Sequence, residues 1–408
     1  MGVRDIFSRA GSAATKKSIP YKEGCIMKKV RIGVIGVGGM GGGHCNRAKT
    51  FQNENKQVEL ACVCDIDEKV ARERSEKFGV KYFLDYKKLI DSGMCDAVVV
   101  ATPHWFHPEI SIYAFKKGLH VLCEKPIAVT GSGAQKIIAA AKKSGKVFGV
   151  NFQRRLEGVT MKAKEIIDSG EIGEITRTLC IDPWYRTQSY YDSGTWRATW
   201  AGEGGGVLCN QAPHTIDMFV YLGGMPVKIE ARTRAKIHKI EVEDEVQASL
   251  EYANGAWGCY YTSTCEPFGP LHFEFAGEKG KLVIREKEMT LYRYSHPVNE
   301  HVKKYNKMFA SMEVKKEIVE PGPGISKSIM ENFRDAIMKG EKLYAPGVEG
   351  INAVEFFNAC ILSSHTNKPV KIPVPRKTYD QLMEKLKKTS KKKEAVKVQR
   401  VTDPKAML

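Results

Sequence analysis

Long apolar runs are missing from this 408-residue chain: the longest, such as residues 97–101, are far shorter than the roughly 20 residues a membrane-crossing helix needs, which excludes a membrane-spanning protein. Also missing is an apolar core of about seven to fifteen residues near the N-terminus. Residues 1–26 are basic and contain Ser and Ala, so export is not expected and a cytoplasmic location is. Cysteines in metal-binding spacing are absent too. The eleven cysteines are scattered, only Cys62 and Cys64 lie close together, and no C-x-x-C occurs, so neither a disulfide framework nor a metal site is expected. No internal repeat is present.

Charge of one sign is in excess, with a formal net charge of +17. Much of it sits in the tails. Residues 374–408 carry eleven Lys/Arg against four Asp/Glu, and residues 1–26 carry five against two. The run KLKKTSKKK, Lys385 to Lys393, has no interleaved aromatics and no base-reading motif, so it reads as a solvated, partly disordered tail with no nucleic-acid partner. Apolar content of 42% and charged content of 27% are those of a globular protein, and the length accommodates two domains.

From Val30 to about Phe152, short β-branched runs alternate with helical stretches of 10–15 residues, which predicts βαβ units and a parallel sheet. After about Glu174 strand-like segments follow one another almost without helices, which predicts a mixed or antiparallel sheet. The expected architecture is α/β: an N-terminal Rossmann parallel sheet plus a C-terminal α/β domain with a predominantly antiparallel open sheet. The divisions are an extension at 1–26, a nucleotide-binding domain at 27–150, a substrate and oligomerisation domain at 151–373, and a basic tail at 374–408.

The run IGVIGVGGMG sets G-x-G-x-x-G at Gly36, Gly38 and Gly41, directly after a strand and at the start of a helix. Gly36 permits a tight turn, Gly38 lets the backbone approach a pyrophosphate, and Gly41 lets the helix pack closely. Gly39 and Met40 complete the loop. A second strand ends in Asp65, twenty-four residues after Gly41, where a carboxylate can accept ribose hydroxyls and repel a 2′-phosphate. NAD is therefore expected over NADP. The competing role for Asp65 is the N-cap of the following helix.

Further motifs come in a fixed order: Ala101-Thr102-Pro103 with His107, Glu124-Lys125-Pro126, the segment Asn151 to Arg155, Gly204-Gly205-Gly206 followed by His214 and Asp217, then Asn332 to Ile337 and Asn367 to Val370. In these the chain resembles the Gfo/Idh/MocA oxidoreductases, the glucose–fructose oxidoreductase and inositol dehydrogenase group, over about Lys28 to Pro373. The resemblance implies hydride transfer between a ring secondary hydroxyl of a sugar, glycoside or inositol and C4 of a nicotinamide. Lys125 and His214 would handle the proton. Thr102, Pro103, His107, Glu124, Lys125 and Arg154 would border the cofactor, with His104 and Trp105 flanking the nicotinamide and His107 also reading as a helix-start residue. A dimer or tetramer, paired through the open sheet, is the usual assembly of such proteins.

Each role has a blander alternative. Lys125 at a strand end is otherwise a surface lysine, and His214 a buried histidine paired with Asp217. Asn210, His214 and Asp217 fall at i, i+4 and i+7, one face of a helix. Inositol dehydrogenases have Asp where this chain has Asn210, which can bind a hydroxyl but accept no proton. The segment Asp182 to Trp200 mixes aromatics and arginines, so Trp184, Arg186, Tyr191, Trp196 and Arg197 are candidate carbohydrate contacts, with Arg155 reaching in from the domain junction; loop packing is the alternative. The competing functions are a redox-assisted glycoside hydrolase or epimerase that retains its NAD, and a non-catalytic nucleotide-sensing regulator.

Overall fold

The computed structural model describes residues 28–267, 269–391 and 393–394. Six parallel strands form the first sheet: β1 (Val30–Ile35), β2 (Val58–Cys64), β3 (Lys81–Phe83), β4 (Ala97–Val100), β5 (His120–Cys123) and β6 (Phe148–Val150), in the order β3-β2-β1-β4-β5-β6. Helices α1 (Gly39–Asn53), α2 (Glu68–Phe78), α3 (Tyr86–Asp91), α4 (His107–Lys116) and α5 (Gly131–Ser144) connect them. All four residues of β4 are buried, as a strand covered on both faces requires; hence its unbroken apolar sequence AVVV. The helix ends follow local chemistry. Asp67 caps α2 by accepting the Lys69 N–H at 3.0 Å, and Gly145 ends α5 in the left-handed conformation.

The chain continues through α6 (Gly158–Asp168), β7 (Ile175–Pro183), α7 (Gln188–Asp192), α8 (Pro213–Gly223), β8 (Lys228–Arg234), β9 (Glu245–Glu251), β10 (Trp257–Ser263), β11 (His272–Gly277), β12 (Gly280–Arg285), β13 (Glu288–Tyr294), α9 (Val298–Lys304), β14 (Val314–Val319), α10 (Ile329–Lys339), α11 (Gly350–Thr366), β15 (Val370–Lys371) and α12 (Arg376–Thr389). Its nine strands form one sheet in the order β14-β13-β12-β11-β7-β10-β9-β8-β15, antiparallel except where β7 runs alongside β10. One face is covered by α8 and α11: Phe219 of α8 stacks on Phe273 with ring centroids 5.8 Å apart, and Phe356 of α11 meets Tyr260 at 5.0 Å. The other face is open, and Trp257 and Cys259 on β10 are exposed there. Among the described residues no helix is long and apolar enough to cross a membrane.

The basic tail departs from expectation. Residues 376–389 form α12, with Tyr379 and Met383 buried, because Tyr379, Met383 and Leu386 lie on one helical face that the lysine run conceals in a composition count. Beyond it Ser390 donates to the Glu241 carboxylate at 2.6 Å, and Lys393 donates to the carbonyl oxygens of Tyr191 and Arg197. Within the run, Ser390, Lys391 and Lys393 are thus held against the protein, while Lys385 and Lys388 are exposed. The 1–26 extension and the last fourteen residues lie outside the described residues.

In the first sheet β1 lies between β2 and β4, so the strand order reverses there and leaves a crevice at the carboxyl ends. Into it run the turns after β1, β2, β4 and β5.

Candidate active site

The turn after β1 is shaped by what a side chain would strike. Gly36 has φ +83°, and a Cβ on it would lie 2.8 Å from the backbone of Ala101 and Thr102; one on Gly41 would lie 1.7 Å from the Gly36 carbonyl oxygen. A Cβ on Gly38 meets nothing within 4 Å, so that position faces open space. Helix α1 begins at Gly39 with no side-chain cap and no acid in its first turn, leaving its N–H groups for a phosphate, while Met40 stands exposed beside them. Asp65 does not cap α2. Its two oxygens accept the N–H groups of Val37 at 2.9 Å and Asp67 at 3.1 Å, which ties the end of β2 to the glycine turn. Arg74, which sequence reading passed over, donates to the Val37 carbonyl at 3.1 Å. The Thr102 hydroxyl is buried and has no partner, and Pro103 opens the turn that carries His104 and Trp105. An uncapped helix end, an open Gly38 and an acid at the end of β2 fit a dinucleotide.

Lys125 follows β5. The side chain is half-buried, and its Nζ donates to the Asn210 carbonyl at 2.7 Å. Burial lowers its pKa below the ordinary lysine value; Glu124 and Glu203 oppose this, while Arg197 and Arg186 add to it. Glu124 accepts from His44 Nε2 and from Asn151 Nδ2, both at 2.7 Å, and although burial pushes its carboxyl up, the His44 hydrogen bond and the charges of His44 and Lys125 bring it down to about 2. His214, on the first turn of α8, is half-buried, with its Nδ1 buried and without a partner; burial and the Lys125 charge lower its pKa to about 3, so the ring is neutral.

Several expected residues stand elsewhere. Asp217 pairs with Arg155, not His214: Arg155 Nε and Nη2 donate to its carboxylate at 2.8 and 2.6 Å, and Nη1 bonds Glu349. Each nitrogen of the Arg155 fork is engaged in this brace, Nη1 also reaching the Tyr344 carbonyl, so the expected substrate contact would have to compete with it. His107 is likewise a strut, its ring nitrogens facing the carbonyl oxygens of Pro126 at 2.8 Å and Thr102 at 2.7 Å. Tyr191 is buried with its hydroxyl 2.7 Å from Thr264 Oγ1, which removes it from the substrate candidates. Asn210 precedes α8, which starts at Pro213, so no helical face joins it to His214; its amide donates to Glu203 instead.

Glu203 is the residue the sequence hid. It sits buried in the glycine-rich run after Gly202, accepts the Ala198 N–H at 2.6 Å and the Asn210 amide, and burial pushes its pKa up. The carbonyl oxygen of Glu203 accepts from His104 Nδ1 at 3.1 Å, and the Trp105 indole donates to the Trp200 carbonyl at 3.0 Å. Trp184, Arg186, Trp196, Arg197 and Arg154 are all half-buried. Among the described residues one trio of metal-ligand type occurs, His238, Asp244 and Cys265, but the Asp244 carboxylate is already held by the N–H groups of residues 236–238.

Residues 30–152 match an oxidoreductase family with an NAD-binding Rossmann fold, GFO/IDH/MocA, and residues 160–283 match the GFO/IDH/MocA C-terminal domain. The inositol 2-dehydrogenase of Salmonella typhimurium is 33% identical over 36% of this chain, a match that spans 43% of that protein. Inositol 2-dehydrogenase 2 of Saccharopolyspora erythraea is 31% identical over 65% of this chain and 76% of its own length. Among solved structures, a WlbA dehydrogenase of Chromobacterium violaceum in complex with NADH and UDP-GlcNAcA superposes with a TM-score of 0.75 at 25% identity, covering 88% of this chain and 99% of that one.

Proposed function

The chain belongs to the GFO/IDH/MocA family of NAD-binding oxidoreductases, and from that premise we propose that it is a dehydrogenase oxidising a ring secondary hydroxyl of a sugar, glycoside or inositol to a ketone. The observation that carries this reading is the pairing of a half-buried lysine amine, fixed on the Asn210 carbonyl, with a neutral imidazole close enough to feel its charge. When bound, NAD supplies the hydride acceptor at C4 of its nicotinamide. Gly38, the first turn of α1, Asp65 and Thr102 would hold it, with Glu124 fixing the strand end beneath.

The reaction needs a group that takes the hydroxyl proton. A histidine whose pKa is about 3 is a weak base but, being neutral, can accept a hydrogen bond from the substrate hydroxyl through a ring nitrogen. Lys125 keeps the higher proton affinity of the two, and burial with the nearby guanidiniums raises its unprotonated fraction near neutral pH. Lys125 is therefore the proton acceptor and His214 the group that orients the hydroxyl. Trp184, Arg186, Trp196, Arg197 and the Asn210 backbone border the substrate. A second copy of the chain pairs on the open sheet face around Trp257, which sedimentation of the intact protein tests.

The direct test is a panel of sugars, inositols, anhydrosugars and glycosides with NAD, read by NADH absorbance and by a two-hydrogen mass loss in the product. Formation of both supports the dehydrogenase. Product that accumulates without net NADH would favour the retained-cofactor chemistry, and NAD binding without turnover would favour a sensor.

A further inference from the structure

Three arginines around the proposed site have no ion-pair partner among the described residues. Among the described residues, no carboxylate oxygen lies within 4 Å of the guanidinium of Arg154, Arg186 or Arg197, although Arg155, next in sequence to Arg154, holds two acids. Each of the three is stacked instead. Arg197 lies 4.6 Å from the ring centroid of Trp196 and 4.7 Å from that of Tyr190; Arg186 lies 5.0 Å from Tyr190 and 5.7 Å from Trp184; Arg154 lies 5.1 Å from Trp184. The result is one continuous ladder in which aromatic rings and guanidiniums alternate. Its hydrogen bonds are few: Arg197 donates to the Tyr190 hydroxyl at 2.9 Å, and Arg186 to the carbonyl oxygen of Tyr185 at 2.7 Å.

The ladder adjoins the chemistry at both ends. Trp196 meets the His104 ring edge-on at 6.0 Å, in the turn after β4, and Arg154 belongs to the same short helical turn region that follows Phe152, whose ring meets His214 at 6.2 Å. The charge reaches the proton-handling pair as well, since Arg197 and Arg186 help to depress Lys125 and Arg154 helps to depress His214. Of the acids nearby, Glu203 holds the Ala198 N–H and the Asn210 amide, Asp192 faces Lys393 and Gln188, and Asp182 and Glu157, which feel the Arg154 charge, form no ion pair with it.

A neutral polyol would leave these three guanidiniums without a direct ion-pair partner, and a site built for hydroxyls alone would present carboxylates as well as donors. Stacking fixes the plane of each guanidinium while leaving its N–H edge free, which is the geometry for receiving the two oxygens of a carboxylate or phosphoryl group. We infer that the substrate is an anionic carbohydrate, whose carboxylate or phosphoryl group is received by the Arg154–Arg186–Arg197 ladder while Lys125 and His214 face the hydroxyl to be oxidised. This rests on the dehydrogenase reading and narrows its substrate class.

The test is calorimetric binding to the full-length, NADH-saturated protein of D-glucuronate, D-glucose 6-phosphate and D-glucose, repeated in the galacto series. The expected result is an affinity for one of the anions about tenfold or more above that for the neutral sugar, reduced by added salt and by Arg186→Gln or Arg197→Gln in a protein that still binds NADH normally. Preference for the uronate assigns a carboxylate, and preference for the phosphate ester a phosphoryl group. Neutral sugars binding as tightly as both anions, or no measurable binding of either anion, overturns the inference. NADH formation followed in parallel separates the two readings. Tight anion binding without oxidation removes the dehydrogenase and keeps the ladder's role, whereas oxidation of neutral sugars alone does the reverse.

Discussion

Three glycines within six residues of the β1–α1 turn should respond to the same substitution in three ways. A methyl on Gly41 would lie 1.7 Å from the Gly36 carbonyl oxygen, so Gly41→Ala forces α1 away from β1 at a cost of at least ~3 kcal/mol of stability, and distorts the nucleotide turn. A methyl on Gly38 meets no protein atom within 4 Å, so Gly38→Ala should leave the fold intact while obstructing the close approach of a pyrophosphate, weakening NADH by at least ~10-fold, or ~1.4 kcal/mol. Gly43 is exposed, inside α1, and also has open space around its Cβ direction; Gly43→Ala should raise stability by ~1 kcal/mol through helix propensity and leave NADH affinity unchanged. The assay is urea unfolding with and without NADH, together with NADH titration by fluorescence. Unaltered NADH affinity in Gly38→Ala would refute the placement of the pyrophosphate, and a wild-type-like Gly41→Ala would refute the turn geometry itself.

Arg155→Met should cost ~3–5 kcal/mol in urea unfolding, because it strands the buried Asp217 carboxylate; a loss under ~1 kcal/mol would show that Arg155 is not the brace described. Stability should fall below about pH 6.5. Burial holds His104, His107, His120 and His214 below the ordinary histidine value, with His120 at about 4 and His214 at about 3, so between those values and pH 6.5 the unfolded chain binds protons the folded one refuses. Each contributes a loss of up to ~1.4 kcal/mol per pH unit as pH falls, partly offset by Glu243 and Asp182, whose carboxyls burial pushes up to about 7 and about 6, so unfolding free energy should drop by ~2 kcal/mol between pH 7 and 5.5; a flat profile would contradict the neutral rings. Removal of residues 390–408 takes away the contacts of Ser390 and Lys391 with Glu241 and those of Lys393 with the Tyr191 and Arg197 carbonyl oxygens. Amide exchange across 188–201 should then accelerate by ~10-fold or more, and unchanged exchange would show that the C-terminal segment does not hold that loop.

The first sheet was legible because its signals are local. Parallel strands buried on both faces read as short apolar runs such as AVVV, and the glycine turn carries its own steric logic. Lys125 could be placed at a strand end for the same reason. What sequence could not supply was pairing across distance. Glu124 is held by His44, 80 residues away, and Arg155 by Asp217, 62 residues away, so of two adjacent arginines nothing in the local pattern tells which is consumed and which is free. Asn210 was misplaced because spacing alone was read as helix, although Pro213, a residue suited to a first helical turn, marks where α8 begins. In the tail the apolar stripe of α12 was present at helical spacing but outweighed by lysines. Strand β14 (VKKEIV) escaped notice because an edge strand carrying charges lacks the alternation of a half-buried one.

The central claim is that Lys125 takes the proton as hydride leaves for NAD, and the decisive measurement is turnover of Lys125→Met on whichever carbohydrate the wild type oxidises, alongside NADH affinity. The account predicts a loss of ~100-fold to 10,000-fold in kcat, partly restored by added primary amine, with NADH bound within ~3-fold of wild type. Turnover within ~10-fold of wild type, with the cofactor bound normally, would contradict it and move the proton to another group.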